Sequence, residues 1–132
     1  MRTFWVWAGT MVVLGILATS ANAGDGVKPQ EVFDRLKTLA GDWKAEVHGH
    51  GPEAAPGAVS YKITGGGKVI METLFPGTDH EMVSMYYVDG DTVRMTHYCA
   101  AGNQPRLKLD SRNSTSDKYV FVFEGGSNLD PE

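Results

Sequence analysis

Polar and apolar side chains alternate along most of the chain after Trp43, with the period of two that is typical of a β-strand. Glycine, proline and asparagine interrupt the alternation, most clearly at residues 65–67 and at Asp89-Gly90, and further turns are predicted at residues 76–77 and 102–105. Strands joined by links this short pair as antiparallel neighbours. The pattern therefore predicts an antiparallel meander of seven strands, at residues 43–48, 58–64, 69–75, 82–88, 93–99, 106–110 and 119–124.

One stretch before these strands has helical spacing instead. Apolar residues recur there on one helical face, at Val32, Phe33, Leu36, Leu39 and Ala40. A proline at position 29 suits the first helical turn, because its missing N–H is not needed there. We predict one short amphipathic helix that the glycine at position 41 ends.

The first 23 residues have the parts of a cleavable secretory signal peptide. Arg2 and the α-amino group form the positive start, an uncharged stretch spans residues 4–18, and Ala21-Asn22-Ala23 places small residues before the expected cleavage site. The uncharged stretch is shorter than the ~20 residues that a membrane-spanning helix needs. We predict a signal peptide at residues 1–23, a mature domain at residues 24–132, and a periplasmic or secreted protein without membrane contact after cleavage.

The end of the sequence is typical of a connection rather than of a finished domain. The last predicted strand is followed by a glycine-rich segment from Gly125 to Glu132. An open sheet of seven strands leaves two edges with unpaired backbone groups, which a complete barrel avoids. We therefore expect either a barrel that is truncated at its C-terminus or a homo-oligomer in which another chain completes the sheet.

Composition excludes two classes of protein. The net charge of −4, with the basic residues scattered along the chain, argues against a nucleic-acid partner, which needs a basic surface. The single cysteine, Cys99, rules out an intrachain disulfide, so the chain is not a disulfide-stapled secreted domain. We expect Cys99 to be buried as a small apolar residue.

The densest polar group in the sequence is Thr96-His97-Tyr98-Cys99. Histidine serves as an acid, a base or a metal ligand near neutral pH. In a regular strand His97 and Cys99 share one face, and Thr96 and Tyr98 share the other. His97 and Tyr98 are therefore candidate catalytic residues, against the alternative that they are polar groups satisfied by hydrogen bonds within the fold.

Glu72 interrupts an apolar run in the third predicted strand. Such a carboxylate either faces water or faces the interior, where it needs a partner because an unpaired buried charge is costly. Arg94 or Arg106 could supply that partner. The sequence leaves both orientations open, and Glu72 is the third catalytic candidate.

Histidines elsewhere in the chain raise the question of a metal. His48 and His50, with Asp79 and His80, contain donors that suit zinc or copper. Their glycine-rich surroundings favour solvated side chains over a site. We therefore predict no metal ligands.

Leu39-Ala40-Gly41-Asp42-Trp43 resembles the Gly-x-Trp signature of lipocalin-like (calycin) barrels. The segments 65–72 (GGGKVIME), 75–77, 80–82 and 96–99 are similar to the uncharacterised bacterial DUF1579-type proteins, themselves similar to nitrobindin-like and fatty-acid-binding-like barrels. The resemblance covers most of residues 32–130. It implies a lipocalin-like barrel with an internal pocket and with Trp43 packed across the closed end, which the end of the chain would leave incomplete. Nitrobindin-like members hold haem through a histidine on a late strand, which lies beyond this sequence.

These observations favour an exported protein that holds a small apolar or amphipathic molecule in the barrel interior. The sequence has no H-E-x-x-H, C-x-x-C or G-x-S-x-G motif, which argues against several common catalytic sites. The predicted ligand-binding residues are Trp43, Glu72, Met95, His97, Cys99 and Arg106. Two alternatives stay open: a hydrolase or isomerase of a hydrophobic substrate that uses His97 with Tyr98 or Glu72, and a haem or metal binder. No cofactor is predicted, with haem kept as the alternative for a longer form of the chain.

Overall fold

The computed structural model describes residues 26–46 and 56–129. The signal peptide predicted at residues 1–23 and the histidines His48 and His50 lie outside the described residues. The described part contains one α-helix, one short 3-10 turn at Gly65–Gly67, and seven strands. They are α1 (Pro29–Lys37), β1 (Gly41–Glu46), β2 (Pro56–Thr64), β3 (Val69–Leu74), β4 (Met82–Asp89), β5 (Thr92–Tyr98), β6 (Gln104–Leu109) and β7 (Phe121–Ser127).

The seven strands form one sheet in sequence order, β1 to β7, and every neighbouring pair is antiparallel. The predicted fold class, mainly β with a seven-stranded meander and one short N-terminal helix, is confirmed. The sheet is not closed, since β1 and β7 are its two edges, and it is consistent with an incomplete barrel. Among the described residues, no helix has the length and apolar character needed to cross a bilayer.

Helix α1 is shorter than its apolar pattern predicts. It begins at the proline, as expected, and ends at Lys37, before the predicted apolar positions Leu39 and Ala40. The backbone N–H groups of Thr38, Leu39 and Ala40 each bond to the carbonyl three residues earlier, at 3.0–3.2 Å. These bonds tighten the last turn and give hydrogen-bond partners to carbonyl groups at the helix end, and β1 begins directly afterwards at Gly41.

One face of the sheet carries the core. Val32 and Phe33 of α1 are 1% and 2% exposed and pack with Ile70, Val93 and Leu109, which come from three strands. Side chains in a strand alternate between faces, and directly paired residues of neighbouring strands share a face. The contacts of these three strands therefore identify the face of the whole sheet on which the helix lies. We call this the helix face, and the other the opposite face.

Two connections have the geometry that their glycines predict. Gly66 in the link between β2 and β3 has a φ of 63°, a conformation that disfavours other residues. Asp89 pairs with Thr92, so the hairpin loop between β4 and β5 is Gly90-Asp91, one residue later than the predicted Asp89-Gly90. Gly90 supplies the positive φ, at 59°.

The prediction was wrong at the end of the sheet, where residues assigned to turns belong to strands. Gln104 and Pro105, predicted as part of a turn, begin β6, and Gly125 to Ser127, predicted as part of a connection, end β7. A β-bulge at Glu124 lets the pairing continue past the expected end. A Cβ at Gly126 would lie 2.7 Å from the Gln104 carbonyl oxygen, so the glycine permits this close approach.

Candidate functional site

A row of polar side chains crosses the helix face. The register places Tyr61 of β2 opposite Glu72 of β3, Glu72 opposite Ser84 of β4, and Ser84 opposite His97 of β5. Tyr86 lies two residues from Ser84 and therefore on the same face. We call these five residues the polar row. The row adjoins the core beneath α1, since Tyr61 and Tyr86 pack against it.

The Glu72 carboxylate is held by two phenols. The Tyr61 hydroxyl donates to Oε1 at 2.6 Å, and the Tyr86 hydroxyl donates to Oε2 at 3.0 Å. Both bonds are partly buried. Hydrogen bonds to a charged acceptor are about twice as strong as neutral ones, so the three side chains fix one another. The orientation left open by the sequence is therefore settled: Glu72 lies on the helix face, and its partners are tyrosines rather than Arg94 or Arg106.

Both phenols are held in their protonated form. Burial raises the pKa of Tyr86 well above its ordinary value, and the Glu72 charge raises it further. Burial and the hydrogen bond to Glu72 likewise raise the pKa of Tyr61. A tyrosinate beside a carboxylate would be repelled, so the two hydroxyls remain donors well above neutral pH.

Ser84 and His97 form the other end of the polar row. The Ser84 Oγ lies 3.0 Å from Nδ1 of His97, a hydrogen bond whose donor depends on the histidine tautomer. Ser84 is 1% exposed, so its hydroxyl positions the imidazole and does not face a substrate. Within the described part of the chain, Nε2 of His97 forms no hydrogen bond, which leaves it available to a bound molecule.

Apolar side chains surround the polar row. Met95 of β5 lies opposite Tyr86, whose ring packs edge-on against Phe121 at 5.9 Å between centroids. Cys99, predicted to be buried, is only partly buried and lies with its Sγ 3.9 Å from the Met82 Sδ. At the sheet edge Phe123 is 61% exposed on the helix face. The face thus combines a small polar centre with a broad apolar margin.

Trp43, the tryptophan of the Gly-x-Trp segment, also lies on the helix face, opposite Val59. Its indole N–H donates to the Leu39 carbonyl at 2.6 Å, and 49% of the residue is exposed. Trp43 therefore fastens β1 to the end of the α1 turn. The expected packing across a closed barrel end is not present among the described residues.

Two predicted site residues, Tyr98 and Arg106, lie on the opposite face of the sheet from the polar row. Arg106 pairs with Thr96, so both lie on the opposite face, as does Tyr98. These three side chains line a groove of about 500 Å³ there, together with Tyr87, Gln104 and Ser127. Arg106 is thus separated from Glu72 by the thickness of the sheet.

The candidate catalytic pairs are not in contact. Tyr98 and His97 point to opposite faces of β5. Glu72 and His97 share a face but are two strands apart, which corresponds to roughly 10 Å at ordinary strand spacing. Residues 26–46 and 56–129 contain no group of three or more histidine, cysteine or acidic side chains that could hold a metal ion.

Sequence reasoning missed Tyr61, Ser84 and Tyr86 as site residues, although one signal for Tyr61 was present. The short glycine link between β2 and β3 pairs Thr64 with Val69. Three residues further from the link on each strand, Tyr61 pairs with Glu72. Ser84 had no comparable signal, because β3 and β4 are joined by seven residues whose geometry the sequence does not define.

Comparisons with known proteins identify no relative of this chain. No protein-family model, no curated protein and no solved structure matches this chain significantly. The resemblance to DUF1579-type and lipocalin-like proteins stays a prediction.

Proposed function

We propose that this protein is an exported binding protein that takes a small amphipathic molecule on the helix face of its sheet. The single observation that carries the proposal is a half-buried carboxylate, Glu72, fixed by two tyrosine hydroxyls within an apolar surface. Ligand sites are mostly apolar, with a few precisely oriented polar groups that determine specificity. The polar row and its margin have this composition.

Support for export comes from residues 1–23, whose charged start, apolar stretch and small-residue exit are those of a signal peptide. An exported binding protein meets its ligand outside the cytoplasm. Periplasmic or secreted location is therefore part of the proposal.

Binding is favoured over catalysis by the positions of the polar groups. A nucleophile needs both a neighbouring base and access to substrate. Ser84 has the neighbouring imidazole but is 1% exposed, and His97 has no carboxylate in hydrogen-bond reach among the described residues. The geometry holds these groups still, which suits recognition of a ligand.

Two methionines on adjacent strands offer a matched test of the binding face. Met95 lies on the helix face and Met85 on the opposite face, and both are half-buried. We expect the protein to bind the polarity-sensitive dye Nile red saturably, with a fluorescence increase. Met95→Thr should weaken binding by about tenfold, the effect of losing one to two buried methylene groups.

The control is Met85→Thr, which makes the same chemical change on the other side of the sheet. It should leave the dissociation constant within about twofold of the parent value. Absence of saturable dye binding, or an equal loss in the two variants, would contradict the proposed function.

A further inference from the structure

The free hydrogen-bonding capacity of the polar row at Glu72 is that of an acceptor. An ionised carboxylate has about four lone-pair directions. The two tyrosine hydroxyls fill one direction on each Glu72 oxygen, which leaves each oxygen able to accept another hydrogen. A ligand that donates hydrogen bonds can use these positions.

The donors beside Glu72 are already used. Each tyrosine hydroxyl has one hydrogen to donate. Tyr61 and Tyr86 both direct theirs to the carboxylate. The raised pKa of each tyrosine keeps that hydrogen in place over the physiological range. The centre of the helix face therefore offers negative charge and acceptor atoms to whatever binds there.

The lysine and arginine side chains of β5 and β6 lie on the other side of the sheet. Arg94 binds Glu124 at 2.8 Å and also pairs with Asp89, and Lys108 lies 4.0 Å from Glu124. Arg106 lies on this opposite face as well. Among the described residues, no lysine or arginine forms an ion pair with Glu72, so its charge is stabilised there by hydrogen bonds from two neutral phenols and has no counter-ion.

The surroundings of the carboxylate define the rest of the ligand. Met95 and Phe121 lie next to Tyr86, on the side away from the Tyr61 hydroxyl. An apolar chain attached to the ligand's polar end would therefore lie against apolar side chains. A partly desolvated carboxylate repels an anionic end and attracts a cationic one.

We propose that the ligand of the helix face is an amphipathic amine whose ammonium group binds the free lone pairs of Glu72. This inference rests on the proposed binding function and narrows it to one chemical class. The ammonium group supplies three donors and a positive charge, which complement the free acceptor positions and the charge of Glu72.

The test compares three probes that share one tail and differ in the polar end: decylamine, decanol and decanoate. Each is used to displace Nile red from the purified protein at neutral pH. We expect decylamine to bind ten- to a hundredfold more tightly than decanol, the range of a hydrogen bond to a charged group, and decanoate to bind most weakly.

Variants separate the role of Glu72 from general charge attraction. Glu72→Gln should remove the preference for decylamine while decanol and Nile red still bind, which also shows that the variant is folded. Glu81→Gln is the matched control, because Glu81 is exposed in the turn before β4 and its loss changes the net charge equally. It should retain the preference.

The outcomes distinguish the two proposals. Equal or tighter binding of decanoate or decanol would overturn the amine assignment and leave the binding function standing. An amine preference that survives Glu72→Gln, or disappears in Glu81→Gln, would also overturn it. Absence of Nile red binding would instead remove the binding function on which it rests.

Discussion

Replacing Phe33 with alanine is expected to lower the free energy of unfolding by about 3–5 kcal/mol. Phe33 is 2% exposed and is the largest side chain that α1 inserts between helix and sheet. Its ring also lies 4.8 Å from the Lys37 ammonium, a contact that alanine loses. The loss combines the apolar transfer energy of the ring with the cavity left beside Ile70 and Val93. Urea unfolding followed by circular dichroism measures it.

Phe123→Ala is the matched control, because it makes the same change at a residue that is 61% exposed. The expected loss there is below about 1 kcal/mol. Similar losses in the two variants would mean that α1 does not pack on this face of the sheet.

Tyr86→Phe is expected to cost about 1.5–3 kcal/mol of folding free energy, the range of a hydrogen bond to a charged group. The substitution keeps the ring, and with it the edge-on contact with Phe121, and removes only the hydroxyl that donates to Glu72 Oε2. Tyr98→Phe is the control, since Tyr98 is 49% exposed on the opposite face. It should change stability by less than about 0.5 kcal/mol. A loss that small in Tyr86→Phe would show that the phenol does not hold the carboxylate.

Tyr86→Phe should also make the free energy of unfolding less dependent on pH above about pH 10. In the unfolded chain a tyrosine ionises near pH 10. In the fold the pKa of Tyr86 is raised by burial and by Glu72, so the folded state keeps its proton longer. Stability from this difference is complete below pH 10 and falls as the pH rises further. The fall should be shallower in Tyr86→Phe than in the parent protein.

Local patterning was sufficient to predict that each strand exists, but it did not predict where every strand begins and ends. Period-two alternation and glycine links located all seven strands, because both features act over a few neighbouring residues. The errors lie at Gln104-Pro105 and Gly125–Ser127, where turn-forming residues belong to strands. A bulge and a close backbone approach decide those positions, and both depend on the partner strand.

The candidate site was predicted as separate residues rather than as a group. Glu72 and His97 stood out because charged or ionisable side chains are unusual in a strand. The sequence could not show that Arg106 lies on the opposite face, since its face depends on the register between β5 and β6. Ser84 did not stand out, because its role follows from lying between Glu72 and His97 in space.

Methionine methyl groups report directly on whether a ligand binds to the helix face. Met82 and Met95 lie on the helix face, Met71 and Met85 lie opposite each other on the other face, and all four are half-buried. The measurement is the set of nuclear Overhauser effects between bound Nile red and labelled methionine methyls. We predict contacts to the methyl group of Met95 and none to those of Met71 or Met85. Contacts to Met82 would also indicate binding to the helix face. Contacts to Met71 and Met85 in place of Met95 would show that the ligand binds to the opposite face, against the proposed function.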